Sequence, residues 1–142
     1  MYTPLMKSYR TAFFLFAVGL IFAAVLHAQG VTIWDGVYTE PQADRGKTVY
    51  ADQCSVCHGD EPVGSTMGPG LTGDGFMADF MTIGELADKI RMTMPANNPG
   101  MLTPVQTADL VAFLAMANKW PAGAKELASD LAAIKDIKIV KK

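Results

Sequence analysis

Five consecutive residues, Cys54-Ser55-Val56-Cys57-His58, concentrate the chain's reactive side chains. A zinc centre needs about four ligands. Past the first 28 residues the chain holds two cysteines and one histidine, so zinc would have to recruit carboxylates that show no motif spacing. A thioredoxin-like redox pair requires a βαβ setting, and the flanking pattern here is helical. A simple Cys54–Cys57 disulfide would leave the adjacent histidine and a long glycine-rich loop unexplained. The remaining chemistry is covalent c-type haem attachment, whose signature is Cys-x-x-Cys-His. Thiols three residues apart at a helix end each reach one haem vinyl, and His58 is then carried beneath the iron as its proximal ligand. The sequence thus predicts one haem c, bound covalently through Cys54 and Cys57.

With no second histidine outside the leader, the sixth iron position falls to methionine, lysine, water or nothing. Seven methionines follow the leader: Met67, Met77, Met81, Met92, Met94, Met101 and Met116. Thioethers also fill irregular core space, and Met67 and Met116 are read that way. Met94 is the leading candidate. It precedes Pro95 at the end of a helical pattern, on a loop (Pro95-Ala-Asn-Asn-Pro99-Gly100) stiff enough to hold a side chain toward the iron. Met92 and Met101 are the alternatives.

Three helical segments must position these groups. The first, about Pro41–Gln53, repeats Ala43, Gly46, Tyr50 and Cys54 at three- and four-residue steps, with Thr39 and Gln42 placed for a capping box. The second, Ile83–Met92, collects Ile83, Leu86, Ala87 and Ile90 on one face and is closed soon after by Pro95. The third opens on Thr103-Pro104-Val105-Gln106, a cap, a first-turn proline and a capping glutamine. Its stripe of Leu110, Phe113, Leu114 and Ala117 ends before Pro121. Glu126–Ile134 is expected to form one more short helix. Gly59–Gly75 carries six of the 13 glycines plus Pro62 and Pro69, so it buries little side chain of its own and must wrap something else. No segment alternates, so little or no sheet is expected. The tail, with four lysines in its last eight residues, reads as a solvated, frayed terminus that could also dock an acidic partner.

Composition divides the chain in two. The first 28 residues are rich in apolar side chains and contain no acid. Lys7 and Arg10, then the uncharged Ala12–Leu26 and a small residue at Ala28, have the form of a secretory signal. An uncleaved N-terminal anchor is the rival, although the apolar run is shorter than the ~20 residues of a membrane span. Either way residues 29–142 are expected to form one exported domain in the periplasm, with no membrane insertion if the signal is cleaved. Without Lys7 and Arg10 the body keeps ten of the chain's 12 basic residues against 14 acidic ones, a net charge of −4 that argues against nucleic-acid binding.

The chain resembles the class I cytochromes c, and more closely the small cytochromes that accompany periplasmic quinoprotein alcohol dehydrogenases. The residues carrying the likeness are Trp34-Asp-Gly-Val-Tyr38-Thr-Glu-Pro-Gln42, Arg45-Gly46-Lys47, Tyr50, Cys54–His58, Gly68-Pro69-Gly70-Leu71, Met94-Pro95 with Pro99-Gly100, and Asp109-Leu-Val-Ala-Phe113-Leu114. The resemblance implies an all-α cytochrome c fold, three main helices and loops around one haem. It also implies a crossing of the first and last helices at Gly46, Tyr50 and Phe113. In such proteins a loop proline carbonyl, here that of Pro69, accepts the second ring N–H of the proximal histidine, and Leu71 packs on the haem face. Trp34 and Trp120 are read as packing the termini. Arg45, Lys47 and Arg91 either meet haem propionates or remain solvated surface charges.

A haem with both axial positions filled by protein has no open site for substrate, and His/Met ligation raises its potential. The expected function is therefore single-electron transfer between a dehydrogenase, such as a quinoprotein enzyme, and a terminal oxidase or another carrier. Two rivals stand beside it. A permanent haem-bearing subunit of a dehydrogenase would use the same centre. A five-coordinate haem sensor or enzyme would follow if Met94 does not ligate.

Overall fold

The computed structural model describes residues 30–141, so the predicted leader lies outside the described residues. A 3-10 turn, Ile33–Asp35, is followed by six helices: α1 (Glu40–Gln53), α2 (Ser55–His58), α3 (Gly73–Ala78), α4 (Ile83–Thr93), α5 (Pro104–Ala117) and α6 (Leu131–Ile134). Among the described residues there is no strand, and pairing is limited to isolated bridges from Lys138 to Thr32 and to Thr82. None of the helices among the described residues is long and apolar enough to cross a membrane.

The three long helices begin where threonine caps predict. Thr103 and Gln106 form the full reciprocal box at the start of α5, and the Thr82 hydroxyl accepts from the Glu85 N–H at the start of α4. At α1 only half of the expected box exists. Thr39 accepts from the Gln42 N–H at 3.3 Å, but the Gln42 side chain is buried and turned elsewhere. Its amide donates to the Leu127 carbonyl at 2.9 Å and accepts from the Leu127 N–H at 2.7 Å. This pair of hydrogen bonds, across 85 residues of sequence, ties Leu127 to α1, and residues 121–130 are non-helical. The helix expected over Glu126–Ile134 therefore shrinks to Leu131–Ile134, started by Asp130.

α5 is the central element, buried at every residue from Thr107 to Ala115. α1 crosses it at Gly46, whose missing side chain lets the helices meet: a Cβ there would overlap the Asp109 carbonyl. One turn further on, Tyr50 and Phe113 pack with ring centroids 5.0 Å apart. Arg45 on α1 grips the buried Asp109 through two bonds of 3.0 and 2.9 Å and also pairs with Glu126. Arg45 is thus committed to ion pairs within the chain, and Arg91 pairs with Asp88.

The C-terminal tail is not frayed. Ile139 is buried and Ile137 packs on the core. Backbone bonds join Lys138 to Val31 and Ile33, Ile137 to Ile83, and Ile139 to Met81. Trp34 donates its indole N–H to the Val140 carbonyl at 2.8 Å and so packs on the tail, whereas Trp120 is buried in the core, its carbonyl accepting from the Tyr38 hydroxyl at 2.8 Å. Met67, expected to fill space, is instead 67% exposed, whereas Met116 packs on the core.

Candidate haem-attachment site

The attachment motif occupies a break between two helices. Cys54 ends α1 with a non-helical backbone, its N–H still donating to the Tyr50 carbonyl at 2.9 Å, and it also caps α2. The Cys54 carbonyl accepts from the N–H groups of Cys57 and His58 at 3.1 and 3.0 Å. One tight turn therefore carries both thiols and the imidazole. The thiols are free and half-buried. Burial, helped by the neighbouring Cys57, pushes the Cys54 thiol up to about 11.

His58 is buried, and its Nδ1 lies 2.8 Å from the Pro69 carbonyl. A carbonyl only accepts, so Nδ1 must carry the proton, leaving the Nε2 lone pair as the ring's open donor to a metal. Gly68 makes this approach possible, since a Cβ there would lie 2.9 Å from the Cys57 carbonyl and 3.1 Å from His58 Nδ1. Three successive carbonyls are capped here, two by the glycine-rich loop as it closes over the turn and one by α1. The Ser65 hydroxyl donates to Cys57 at 2.5 Å, the Gly64 N–H to His58 at 3.0 Å, and the Tyr50 hydroxyl to Gly59 at 2.6 Å. Burial, with the charges of Cys54 and Asp60, pushes the Tyr50 phenol up to about 12.

Leu71 leaves this loop half-buried against the core. Asn118, just past α5, pins it there by donating to the Leu71 carbonyl at 3.0 Å and accepting from the Gly73 N–H at 2.9 Å. Neither Ser65 nor Asn118 stands out in the sequence, because each acts through backbone groups that only the fold brings near. α3, which begins at Gly73, was not anticipated either; it is short and glycine-rich, yet it buries Phe76.

Met94 sits on a separate segment. It ends α4 in extended conformation, its N–H donating to Ile90 at 2.9 Å, and a cis peptide joins it to the buried Pro95. Its side chain is half-buried, whereas Met92 is 60% exposed. Met101 is 42% exposed, and its sulfur already accepts from Asn98. Of the three candidate sixth ligands, Met94 is the one withdrawn from solvent.

The donor set fits haem. Among the described residues no group of three or more His, Cys, Asp and Glu side chains is placed to hold a metal. What is present is one oriented imidazole beside two unpaired thiols, the set a porphyrin with two vinyls requires.

Comparison with known proteins agrees. Residues 41–114, which span α1 to most of α5 and include every proposed site residue, match the family model described as cytochrome c oxidase, cbb3-type, subunit III. A similar solved chain occurs in the crystal structure of the sulfane dehydrogenase SoxCD from Paracoccus pantotrophus, at 28% identity and a TM-score of 0.45. The alignment covers 61% of this chain and 53% of that one, so the present chain spans about half its length. No curated protein sequence matches. By the match over more than half its length, the chain belongs to the cbb3-type subunit III cytochrome family and is a class I c-type cytochrome with an all-α fold.

Proposed function

We propose that this protein is an exported mono-haem electron carrier of the periplasm. It would take single electrons from a dehydrogenase, a quinoprotein alcohol dehydrogenase being the expected kind, and pass them to a terminal oxidase or another carrier. The observation that carries the reading is the His58 Nδ1 to Pro69 contact of 2.8 Å, which leaves Nε2 open beside two free thiols on the same turn. Haem c bound there supplies an iron that cycles between its ferric and ferrous states. Cys54 and Cys57 would hold it as thioethers, and His58 would bind its iron. Pro69 fixes the tautomer and tunes the basicity of that ligand. Leu71 would offer an apolar surface to the ring, and Met94 would be the second protein ligand to the iron.

With His58 and Met94 both bound to it, the iron would offer no position to a substrate, and the fixed ligands would limit reorganisation between oxidation states. Partner encounters of this type use small, transient interfaces. Val56, Val63 and Met67, exposed at 76%, 68% and 67% on the motif and its loop, favour a second reading in which the same centre belongs to a permanent subunit. Sedimentation of the protein purified at native expression level separates the two, as a carrier runs as a monomer and a subunit with its partners.

Intact mass measured under denaturing conditions tests the attachment. The proposal predicts one haem retained on the unfolded chain and little stable holoprotein from Cys54→Ala or Cys57→Ala. A chain that sheds all its haem on unfolding would refute covalent attachment.

A further inference from the structure

We infer that Ser65 is a positioning residue for the haem iron, acting through Pro69 on His58. The inference rests on the reading of His58 as proximal ligand and goes beyond it, since no attachment or axial role falls to Ser65. Three hydrogen bonds converge on this one residue. Its hydroxyl donates to the Cys57 carbonyl at 2.5 Å and accepts from the Met67 N–H at 3.0 Å, and its own N–H donates to the Gly68 carbonyl at 2.9 Å. The 65–68 turn is thereby closed on itself and tied to the attachment turn. Pro69 follows directly, so the distance from its carbonyl to His58 is set by where that turn sits.

The neighbouring contacts leave the Ser65 tie as the adjustable one. At Gly68 the space toward Cys57 and His58 leaves no room for a Cβ, which would lie 2.9 Å from the Cys57 carbonyl. On the far side of the turn, the Leu71 N–H is held by the Pro62 carbonyl at 2.8 Å. Between these fixed points, the side-chain tie from the loop to the Cys57 carbonyl is the Ser65 hydroxyl, and it is exposed, so water replaces it when it is removed. Water satisfies the Cys57 carbonyl but does not hold the turn in place. The Pro69 carbonyl then drifts from His58 Nδ1, and the proton on Nδ1 is bound less strongly by its acceptor. A histidine with a weaker acceptor is a less basic ligand and stabilises the ferric state less. The reduction potential should rise.

The test compares full-length holoprotein carrying Ser65→Ala, Ser65→Val and Ser65→Thr, with Thr48→Ala on the exposed face of α1 as control. Potential is measured by spectroelectrochemistry, and exchange of the His58 Nδ1 proton by NMR. The inference predicts a raised potential and at least tenfold faster proton exchange for Ser65→Ala and Ser65→Val. Ser65→Thr, which keeps the hydroxyl, and Thr48→Ala should match the parent. If Ser65→Ala does not fold, the isosteric pair Ser65→Val and Ser65→Thr decides. Equal potentials and exchange rates in that pair would overturn the inference while leaving His58 as ligand. A parent protein with no haem-linked His58 signals would instead sink the functional reading beneath it.

Discussion

Gly46 on α1 and Asp109 on α5 touch backbone to backbone, with no room between them for a single methyl group. The same two turns carry the Arg45–Asp109 ion pair and the Tyr50–Phe113 ring contact. The helix held by this crossing leads directly into the turn that presents Cys54, Cys57 and His58. Helix packing and the attachment site are in this sense one construction.

Gly46→Ala should therefore separate α1 from α5 and lower stability by about 2–3 kcal/mol, the cost of overpacking a tight contact. Urea denaturation followed by circular dichroism measures it. A loss below about 0.5 kcal/mol, typical of a surface change, would mean the helices tolerate a side chain here.

Tyr50 ties α1 to the residue after His58, its hydroxyl donating to the Gly59 carbonyl. Folding raises its ionisation from the ordinary 10 to about 12. The contribution of this phenol is therefore complete below about pH 10 and is lost as pH climbs toward about 12. Tyr50→Phe leaves that carbonyl without its partner and should cost about 1 kcal/mol at neutral pH. It should also remove an ionisation near pH 12 from the ultraviolet titration, and a variant titrating like the parent would contradict the assignment.

Gln42 holds the 121–130 segment through both atoms of its amide. Gln42→Ala leaves the buried N–H and carbonyl of Leu127 unsatisfied, at a cost of about 2–3 kcal/mol. Limited proteolysis should then cut within 121–130 well before the helices. Cleavage rates equal to the parent's would show that the segment is held by other contacts.

Met94→Ala should leave the haem attached and open the sixth position. Ferrous mutant protein is expected to bind carbon monoxide where the parent does not, and its potential should fall as the thioether is lost. Unchanged spectrum and potential would exclude Met94 as ligand and return the choice to Met92 or Met101.

Much of this was legible in the residues, and the gaps share a physical cause. Thr103, Pro104 and Gln106 announce α5 because all their partners lie within one turn. Gln42 was read by the same local rule, yet a backbone 85 residues away satisfies its amide instead. The tail misled through composition: four lysines suggested solvent, while Ile137 and Ile139 between them pack on the core and on neighbouring backbone. The Cys54–His58 motif is a covalent requirement and needs no fold to be recognised. The shell around it, Ser65 and Asn118, works through main-chain atoms, which sequence does not distinguish from one residue to the next. Arg45 could be placed only once Asp109 and Glu126 were found beside it.

Binding of a low-spin haem by His58 and Met94 can be read from one visible absorption spectrum of the purified protein, air-oxidised and then reduced with dithionite. Sharp low-spin bands are expected on reduction and a weak near-red sulfur-to-iron band in the oxidised form, with no change on adding carbon monoxide. A high-spin spectrum that shifts with carbon monoxide would contradict that ligation and make this an open-iron sensor or enzyme.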